Sequence, residues 1–353
     1  MAEWLTRSDL SDGRAARGLL VLAPDAGTVV GLGPDERASC VRLGARTLAA
    51  AGITAEDRVA VALSSDGEPT GVMLARAAAD VAAAAVSCGP RGRMRLHHAL
   101  TRVGATVLVA TPTGAADLLA RLHLEFLADP LDLGLRMIVL TGEIPSPGTH
   151  AHLAAEFGAR VAEVYTDPMF GVPLACDEGP VGEDLLGLAA LDADTLLSAP
   201  YEAGLAEYVL TPGWHAALRG AVVRTGQVVR LAGGEKAPPP PVHTVGDHVL
   251  VRGRWLPLPR IERALARIDG VTHWELRLSR DGTLDAAVLR VTFGRETLIA
   301  NPMWRSRIVQ ALTEITPVHI DVEIAPEADE EPRPGTVTDL RGHHLGRDRA
   351  GAR

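Results

Sequence analysis

Short apolar runs alternate with amphipathic stretches through the first half of the chain. The runs are four to six residues long, which is typical of strands, and they lie at 19–22, 28–31, 58–63, 106–110, 137–140 and 160–164. Apolar residues at helical spacing predict helices between them, at 37–51, 70–85, 93–103, 118–127 and 150–157. This alternation predicts an α/β fold class, with a large domain built on a mostly parallel sheet.

Near residue 205 the pattern changes to strands joined by turns, which predicts a β-rich subdomain. An apolar run is closed by Arg-Thr-Gly-Gln at 224–227, and a second run spans 228–231. Four consecutive prolines follow at 238–241; they can join neither a sheet ladder nor a helix, so they predict an exposed, stiff tether. The domain boundary is therefore placed here, giving a large domain over 1–240, a small one over 241–345 and a tail over 346–353.

The small domain has its own alternation of helices and strands. A helix at 259–268, strands at 273–278 and 284–291, a helix at 302–315 and a strand at 319–324 predict a compact α+β unit. Beyond it, residues 328–353 are rich in charge, proline and glycine, and we expect them to be loosely ordered.

Composition narrows the class of protein. Hydrophobic residues make up 47% of the 353 residues and charged residues 22%, as in ordinary globular proteins. The net charge of -9 argues against nucleic-acid or anionic-membrane binding. Cys40, Cys88 and Cys176 are far apart, so neither a disulfide framework nor a metal site is predicted. The chain starts without a secretory signal pattern and has no apolar run long enough to span a bilayer, so we expect a cytoplasmic protein.

A series of motifs occurs in one order along the chain. Its members are Thr-Val-Val-Gly at 28–31, Leu-Thr-Gly-Glu at 140–143, the strand ending at Tyr165, LAEYVLT at 205–211, Arg-Thr-Gly at 224–226, the segment 247–253, and the pieces 332–333 and 339–341. Together they resemble the adenylate-forming superfamily, and most of all the phenylacetate-CoA ligases. By its length, and on the resemblance, we expect about a hundred N-terminal residues of a full-length relative to have no counterpart in this sequence.

The resemblance implies a reaction with two steps: a carboxylic acid and ATP form an acyl-adenylate and pyrophosphate, and CoA then displaces AMP. It also implies a phosphate-binding loop rich in Ser, Thr and Gly that carries a lysine. The matching segment, 22–27, has no lysine and no hydroxyl group, and Asp25 would repel a triphosphate.

Three further contacts of the family are altered. A magnesium-binding glutamate is implied where this chain has Met169, and a thioether is a poor ligand for Mg²⁺. Asp167 is an alternative carboxylate, although the proline after it changes the turn. The acid that holds the ribose is replaced by Gln227, and the final segment has no lysine, since Lys236 is the chain's single one. We therefore expect ATP-dependent adenylation to be impaired, with ATP and Mg²⁺ doubtful as cofactors.

The resemblance places the substrate site at the carboxyl ends of the strands, facing a mobile small domain. Its candidate residues are Gly142, Glu143, Tyr165, Thr166, Asp167, Met169, Arg224 and Gln227. Tyr165 is equally well interpreted as a core residue, and Arg224 as a surface residue of a strand. The hinge between the domains would contain Asp247, Arg252 and Gly253. No residue can be given a catalytic role.

Two functions from different classes stay open. The first is a divergent ligase-like enzyme, an acid-thiol ligase or an acyltransferase, that acts on a small carboxylic acid or its acyl thioester in biosynthesis, with CoA or a carrier-bound thioester as the acyl carrier. The second is a non-catalytic relative that binds a biosynthetic enzyme or a carrier protein. The altered nucleotide contacts favour the second, and the retained hinge and both domains favour the first.

Overall fold

A computed structural model describes residues 2–23, 27–64, 70–90, 92–177, 179–181, 185–282 and 284–352. The chain divides into two compact units, Met1–Val242 and His243–Arg353. The large unit contains strands β1 (Glu3–Leu5), β2 (Leu19–Ala23), β3 (Thr28–Leu32), β4 (Arg58–Val61), β5 (Ala84–Ser87), β6 (Val107–Ala110), β7 (Met137–Leu140), β8 (Arg160–Thr166), β9 (Pro173–Cys176), β10 (Gly179–Pro180), β11 (Leu186–Ala189), β12 (Gly204–Leu210) and β13 (Ala221–Leu231). Its helices are α1 (Pro34–Ala50), α2 (Thr70–Ala79), α3 (Arg93–Val103), α4 (Pro112–Arg121) and α5 (Thr149–Phe157).

The main sheet has the strand order β10-β9-β8-β7-β6-β4-β5. Strands β4 to β8 are parallel, and β9 and β10 run antiparallel at one edge. Alternate residues of each strand pack against different helices: Ile138 lies in a core with α3, α4 and α5, whereas Val139 lies in a core with α1 and α2. Burial on both faces explains why these strands are continuous apolar runs in the sequence. The expected α/β class with a largely parallel sheet is confirmed.

A second sheet of the large unit has the order β1-β13-β12-β11. Strand β13 is continuous from Ala221 to Leu231, so the expectation that residues 224–227 close a first run is wrong. Gly226 has φ +76°, and the pairing of β12 with β13 shifts register at this level. The strand therefore passes through a bulge instead of a turn, because glycine tolerates a conformation that other residues avoid.

The proline run lies at the end of the large unit, directly before its last residue, Val242. Tyr208 on β12 donates its hydroxyl hydrogen bond to the carbonyl oxygen of Pro239 at 2.8 Å, and Pro241 is buried. The sequence predicts an exposed tether here, but Pro239 is hydrogen-bonded to the large unit and Pro241 is buried.

The small unit contains β14 (His243–Thr244), β15 (His248–Val251), β16 (Arg254–Pro257), α6 (Leu258–Leu265), β17 (Val271–Asp281), β18 (Leu284–Phe293), α7 (Glu296–Ile299), α8 (Pro302–Thr313), β19 (Asp321–Ile324) and β20 (Thr336–Asp339). Its main sheet has the order β19-β18-β17-β20, and α6 and α8 pack on it through a separate apolar core. The antiparallel β15–β16 hairpin packs onto the same core.

The C-terminal segment differs from its expected loose order. Strand β20 pairs in parallel with β17, and the side chain of Arg341 is only 3% exposed. Its guanidinium forms ion pairs with Asp285 at 2.5 Å and with Asp339 at 2.8 Å. These two carboxylates hold the segment against the sheet, which a charge-rich composition alone does not reveal.

None of the helices among the described residues is both long and apolar enough to cross a membrane. In the same part of the chain no group of three or more His, Cys, Asp or Glu residues is arranged to hold a metal ion.

Candidate functional site

The carboxyl ends of β7 and β8 bring several predicted site residues to one edge of the main sheet. Thr141 follows β7, Thr166 ends β8, and their hydroxyl groups are hydrogen-bonded at 2.7 Å. Gly142 and Glu143 come next on one strand, and Asp167 comes next on the other. In open α/β sheets this edge is where ligands bind.

Glu143 is engaged by the first turn of α4. Its carboxylate accepts hydrogen bonds from the backbone N–H of Thr113 at 2.9 Å and from the hydroxyl of Thr113 at 2.7 Å. A negative charge at the N-terminus of a helix is favourable, because the unpaired N–H groups of the first turn point towards it. Gly142, with φ +81°, makes the turn that brings the carboxylate there. In this structure Glu143 therefore fastens β7 to α4.

The carboxylate of Asp167 is buried inside its own loop. It accepts hydrogen bonds from the backbone N–H groups of Met169 at 2.9 Å, Phe170 at 3.1 Å and Val172 at 3.4 Å. Burial raises the pKa of Asp167 to about 6, and the N–H groups offset only part of this effect. The oxygens that a cation would need already accept main-chain hydrogen bonds.

Met169 and Tyr165 are core residues of the large unit. Met169 is fully buried within a cluster of apolar side chains that includes Phe170. Tyr165 is 7% exposed, and its ring stacks on that of Tyr208 with 4.6 Å between centroids. Burial and the nearby charge of Asp167 raise the pKa of Tyr165 well above its usual value. Of its two interpretations, the core interpretation describes the observed contacts.

Arg7 also belongs to this region, although the sequence does not predict it. It is 4% exposed, and its Nη2 atom donates a hydrogen bond to the carbonyl oxygen of Thr225 at 2.5 Å. Its positive charge lowers the pKa of both Tyr165 and Asp167, although burial outweighs it in each case. We call Arg7, Tyr165, Asp167 and Thr225 the Arg7 cluster.

The N-terminal arm positions Arg7. Strand β1 pairs in parallel with the start of β13, and a 3₁₀ helix over Arg7–Leu10 follows directly. Thr6 and Asp9 form a capping box at the start of this helix, with the N–H of Thr6 donating to Asp9 at 2.7 Å. The spacing of Thr6 and Asp9 could have predicted the helix start, but no feature of the sequence indicates that Arg7 becomes buried.

Arg224 belongs to a different set of contacts. Its guanidinium pairs with the buried Glu207 at 2.7 Å and with Asp194 at 3.0 Å, and it lies 5.0 Å from the ring centroid of Trp4. Glu207 also accepts the N–H of Gly226 at 2.8 Å, so it holds the bulge of β13. Arg224 is thus bound by carboxylates of the large unit itself.

Gln227 is 6% exposed, and its N–H donates to the hydroxyl of Thr225 at 3.1 Å. Its Oε1 atom is buried and has no hydrogen-bond partner within the described ranges. A buried acceptor without a donor costs free energy, so this amide oxygen is an unmet acceptor beside Thr225.

The residues of the expected hinge lie in the small unit and contact other residues of it. Arg252 and Gly253 form the two-residue turn between β15 and β16, with φ +52° and +71°, as in a type I′ hairpin. The Nε of Arg252 donates to the carbonyl oxygen of Asp285 at 2.6 Å, and Asp247 pairs with Arg347 at 2.7 Å. Their role as a hinge stays a prediction.

The segment expected to bind phosphate lies on the hairpin of β2 and β3. Its residues 24–26, which include Asp25, are outside the described residues. Thr28, the first hydroxyl residue after them, is fully buried.

Comparisons with known proteins bear on this geometry. No protein-family model and no curated protein matches the chain. Among solved structures, a 2-hydroxyisobutyryl-CoA ligase in complex with 2-HIB-AMP and CoA superposes with a TM-score of 0.77 at 18% identity, covering 96% of this chain and 80% of the ligase. The chain has the fold of adenylate-forming ligases.

Two further ligase structures support the same fold. The o-succinylbenzoate CoA synthetase of Bacillus subtilis matches with a TM-score of 0.65 at 14% identity, over 87% of this chain and 66% of that one. An amide bond synthetase from Marinactinospora thermotolerans matches with a TM-score of 0.61 at 17% identity, over 86% and 65%. The fold expected from the resemblance is thus confirmed, and the likeness to phenylacetate-CoA ligases stays a prediction.

Proposed function

We propose that the protein acts on the acyl thioester of a small carboxylic acid by acyl transfer, and that its ATP-dependent activation of the free acid is impaired. The adenylate-forming fold supports the acyl chemistry, because the proteins that share it include CoA ligases and an amide bond synthetase. A fold hosts more than one activity, so the proposal depends on the site as well. We further propose that the protein works in the cytoplasm as part of a biosynthetic route.

The Arg7 cluster is the observation that carries the proposal. The charge of the buried Arg7 lowers the pKa of Asp167, so it acts on the same carboxylate that a divalent cation would need, and two cations at short range repel each other. The neighbouring position, Met169, offers a buried thioether. Together these residues argue against a magnesium ion, and therefore against the usual orientation of a triphosphate.

Acyl transfer from a thioester needs no nucleotide. A thioester of CoA or of a carrier protein is already activated, so the protein has to bind the acyl group and orient its carbonyl carbon towards a nucleophile. Gly142, Thr166 and the amide oxygen of Gln227 are the candidate residues on the substrate side. No side chain is assigned as the catalytic nucleophile or base.

The test is pyrophosphate release with ATP and Mg²⁺ across a panel of small carboxylic acids, run beside transfer assays with the matching CoA thioesters. We expect acyl transfer with a subset of thioesters and no pyrophosphate above background. Substituting Arg7 by Met and Met169 by Glu together should increase magnesium-dependent ATP binding. Efficient pyrophosphate release by the unmodified protein would contradict the proposal.

A second candidate function is a non-catalytic binding partner of a biosynthetic enzyme or carrier protein. It is favoured by the contacts of Glu143, Asp167 and Arg224, which are all engaged by the large unit's own groups. A thermal-shift scan with ATP, AMP, CoA and aryl-CoA thioesters separates the two functions. A shift with thioesters alone supports acyl transfer, and no shift with any of them supports the partner role.

A further inference from the structure

An arginine-lined groove runs between α6 and α8 on the small unit. Its volume is about 450 Å³, and its rim carries Arg260, Arg263 and Arg267 from the α6 side and Arg307 from α8. We propose that this arginine groove binds an acidic amphipathic helix of a partner protein. The groove lies outside the candidate site of the large unit, so the proposal goes beyond the proposed function.

Arg260 and Arg263 lie on one side of α6, and Arg267 follows just after the end of this helix. Their intervals of three and four residues bring these side chains to the same groove. The buried residues Ile261 and Leu265 occupy another face and pack in the core of the small unit. The apolar face of α6 is therefore already used, and its arginine face is turned outwards.

The groove concentrates positive charge in an acidic protein. Arg263, Arg267 and Arg307 are exposed, whereas the net charge of the chain is -9. Among the described residues, no ion pair involves these three side chains, and Glu314 is the acidic residue of the lining. Like charges at this spacing repel each other. An anionic occupant would relieve that repulsion.

One of the four guanidinium groups is held in place. The guanidinium of Arg307 lies over the ring of Trp304, with 5.2 Å to its centroid. Stacking on an aromatic ring restricts the side chain while leaving its N–H groups available to an acceptor. Arg307 is thus suited to a bidentate contact with a carboxylate.

The floor of the groove favours a helix over a small phosphorylated ligand. Ala264, Ile268, Ala311 and Ile315 give it a narrow apolar base between the guanidinium groups. Sites for small molecules enclose most of the ligand and fix it with a few buried polar groups, and this groove is open with its charges on the rim. A helix with small apolar residues on one side and Asp or Glu along its flanks matches both features. The negative net charge argues against nucleic acid.

The test uses stapled helical peptides with an Ala/Leu stripe flanked by glutamates, labelled with a fluorophore and titrated with the full-length protein at physiological salt. A scrambled peptide of the same composition keeps the charge and loses the stripe. We expect saturable binding of the helical peptide, and at least tenfold weaker binding of the scrambled one. The double variant Arg263→Glu and Arg267→Glu should weaken binding of the helical peptide by at least tenfold.

Arg305→Glu is the matched control, because Arg305 is an exposed arginine of α8 outside the groove lining. It changes the net charge by two units, as each substitution of the double variant does, and should leave the affinity within twofold. Circular dichroism of each variant checks that the small unit stays folded. Equal binding of both peptides, equal loss with Arg305→Glu, or no binding at all would overturn the proposal. Binding of CoA, inorganic pyrophosphate or duplex DNA in place of the peptide, abolished by the double variant, would equally overturn it.

Discussion

Asp57 joins the amino ends of three neighbouring strands. The carboxylate is 2% exposed and accepts hydrogen bonds from Arg136 at 2.6 Å, Thr106 at 2.9 Å and Thr54 at 2.7 Å. Burial alone would raise the pKa of Asp57, but these bonds outweigh it and hold the pKa well below its usual range. One side chain thus fixes the start of β4 to the starts of β6 and β7.

We therefore predict that Asp57→Asn lowers the free energy of unfolding of the large unit by about 2 kcal/mol, since the buried donors lose their charged acceptor. Arg136 is 42% exposed and can turn to water, which limits the loss. Urea unfolding measures the difference. Asp80→Asn, at an exposed position, is the control and should change stability by less than about 0.5 kcal/mol; equal losses in both variants would contradict the role of Asp57.

Glu163 makes stability depend on pH. Burial, and then the charge of Asp177, raise its pKa from 4.5 to about 7, while His150 lies 3.4 Å away. Between pH 4.5 and 7 the unfolded chain loses this proton and the folded protein keeps it. The contribution of Glu163 to folding is therefore most favourable below pH 4.5 and is lost as pH rises to 7.

We predict that Glu163→Gln removes this slope. The stability of the variant relative to the unmodified protein should rise by about 3 kcal/mol between pH 4.5 and 7, and stay constant above pH 7. Urea unfolding at intervals of pH measures it, with Glu56→Gln, at an exposed position, as the control. Parallel pH profiles for Glu163→Gln and the unmodified protein would show that the carboxyl is not buried in a protonated form.

At the scale of elements, the β15–β16 hairpin offers a direct test of the expected hinge. Both turn residues, Arg252 and Gly253, have positive φ, a conformation that favours glycine. Gly253→Ala should lower the free energy of unfolding of the small unit by about 1 kcal/mol, measured by calorimetry of the full chain. Gly213→Ala, where φ is not positive and the nearest atom is 4.0 Å away, should be neutral. If Gly253 acts as a hinge instead, Gly253→Ala should change the response of the protein to ligands and leave the stability of the small unit unchanged.

The elements that the sequence predicts well are those whose burial follows from local pattern. Strands β6 and β7 are continuous apolar runs because both of their faces are covered. Strand β20 reads Thr-Val-Thr-Asp, and its place in the sheet depends on pairing with β17 and on the ion pair of Arg341 with the distant Asp285. Long-range partners of this kind leave no periodic pattern.

The candidate site was predictable only in part for the same reason. The strand ends that carry Gly142, Glu143 and Thr166 follow from the order of motifs and lie at one edge of the sheet. Burial of Arg7 depends on a strand pairing between β1 and β13, which no local feature indicates. Arg224 was a candidate because of its motif, but its carboxylate partners Glu207 and Asp194 come from other segments.

For the whole molecule, each compact unit has its own apolar core. The core of the small unit is drawn from residues 249–322 together with partly buried neighbours, including Val337. The three main clusters of the large unit use residues of that unit alone. The last residue of the large unit, Val242, lies two positions beyond residue 240, where the sequence places the domain boundary.

Separate cores predict separate responses to a core mutation. Leu289→Ala, at a fully buried position on β18, should destabilise the small unit by about 3 kcal/mol. Hydrogen exchange measured by mass spectrometry should accelerate in β17, β18 and β19 and stay unchanged in β6 and β7. The converse variant Ile138→Ala, fully buried on β7, should accelerate exchange in the large unit alone. Equal acceleration in both units would show that they unfold together.

The N-terminal arm has a consequence for how the protein is made. Arg7 and its acceptor Thr225 are 218 positions apart, so a ribosome adding about 5–20 residues per second needs on the order of 10–40 s to reach the partner strand. Until then Trp4 and Leu5 have no sheet to join, and a nascent-chain chaperone has that interval in which to bind them. Completion of the large unit is therefore timed by translation, and slow codons upstream of residue 221 would lengthen the wait.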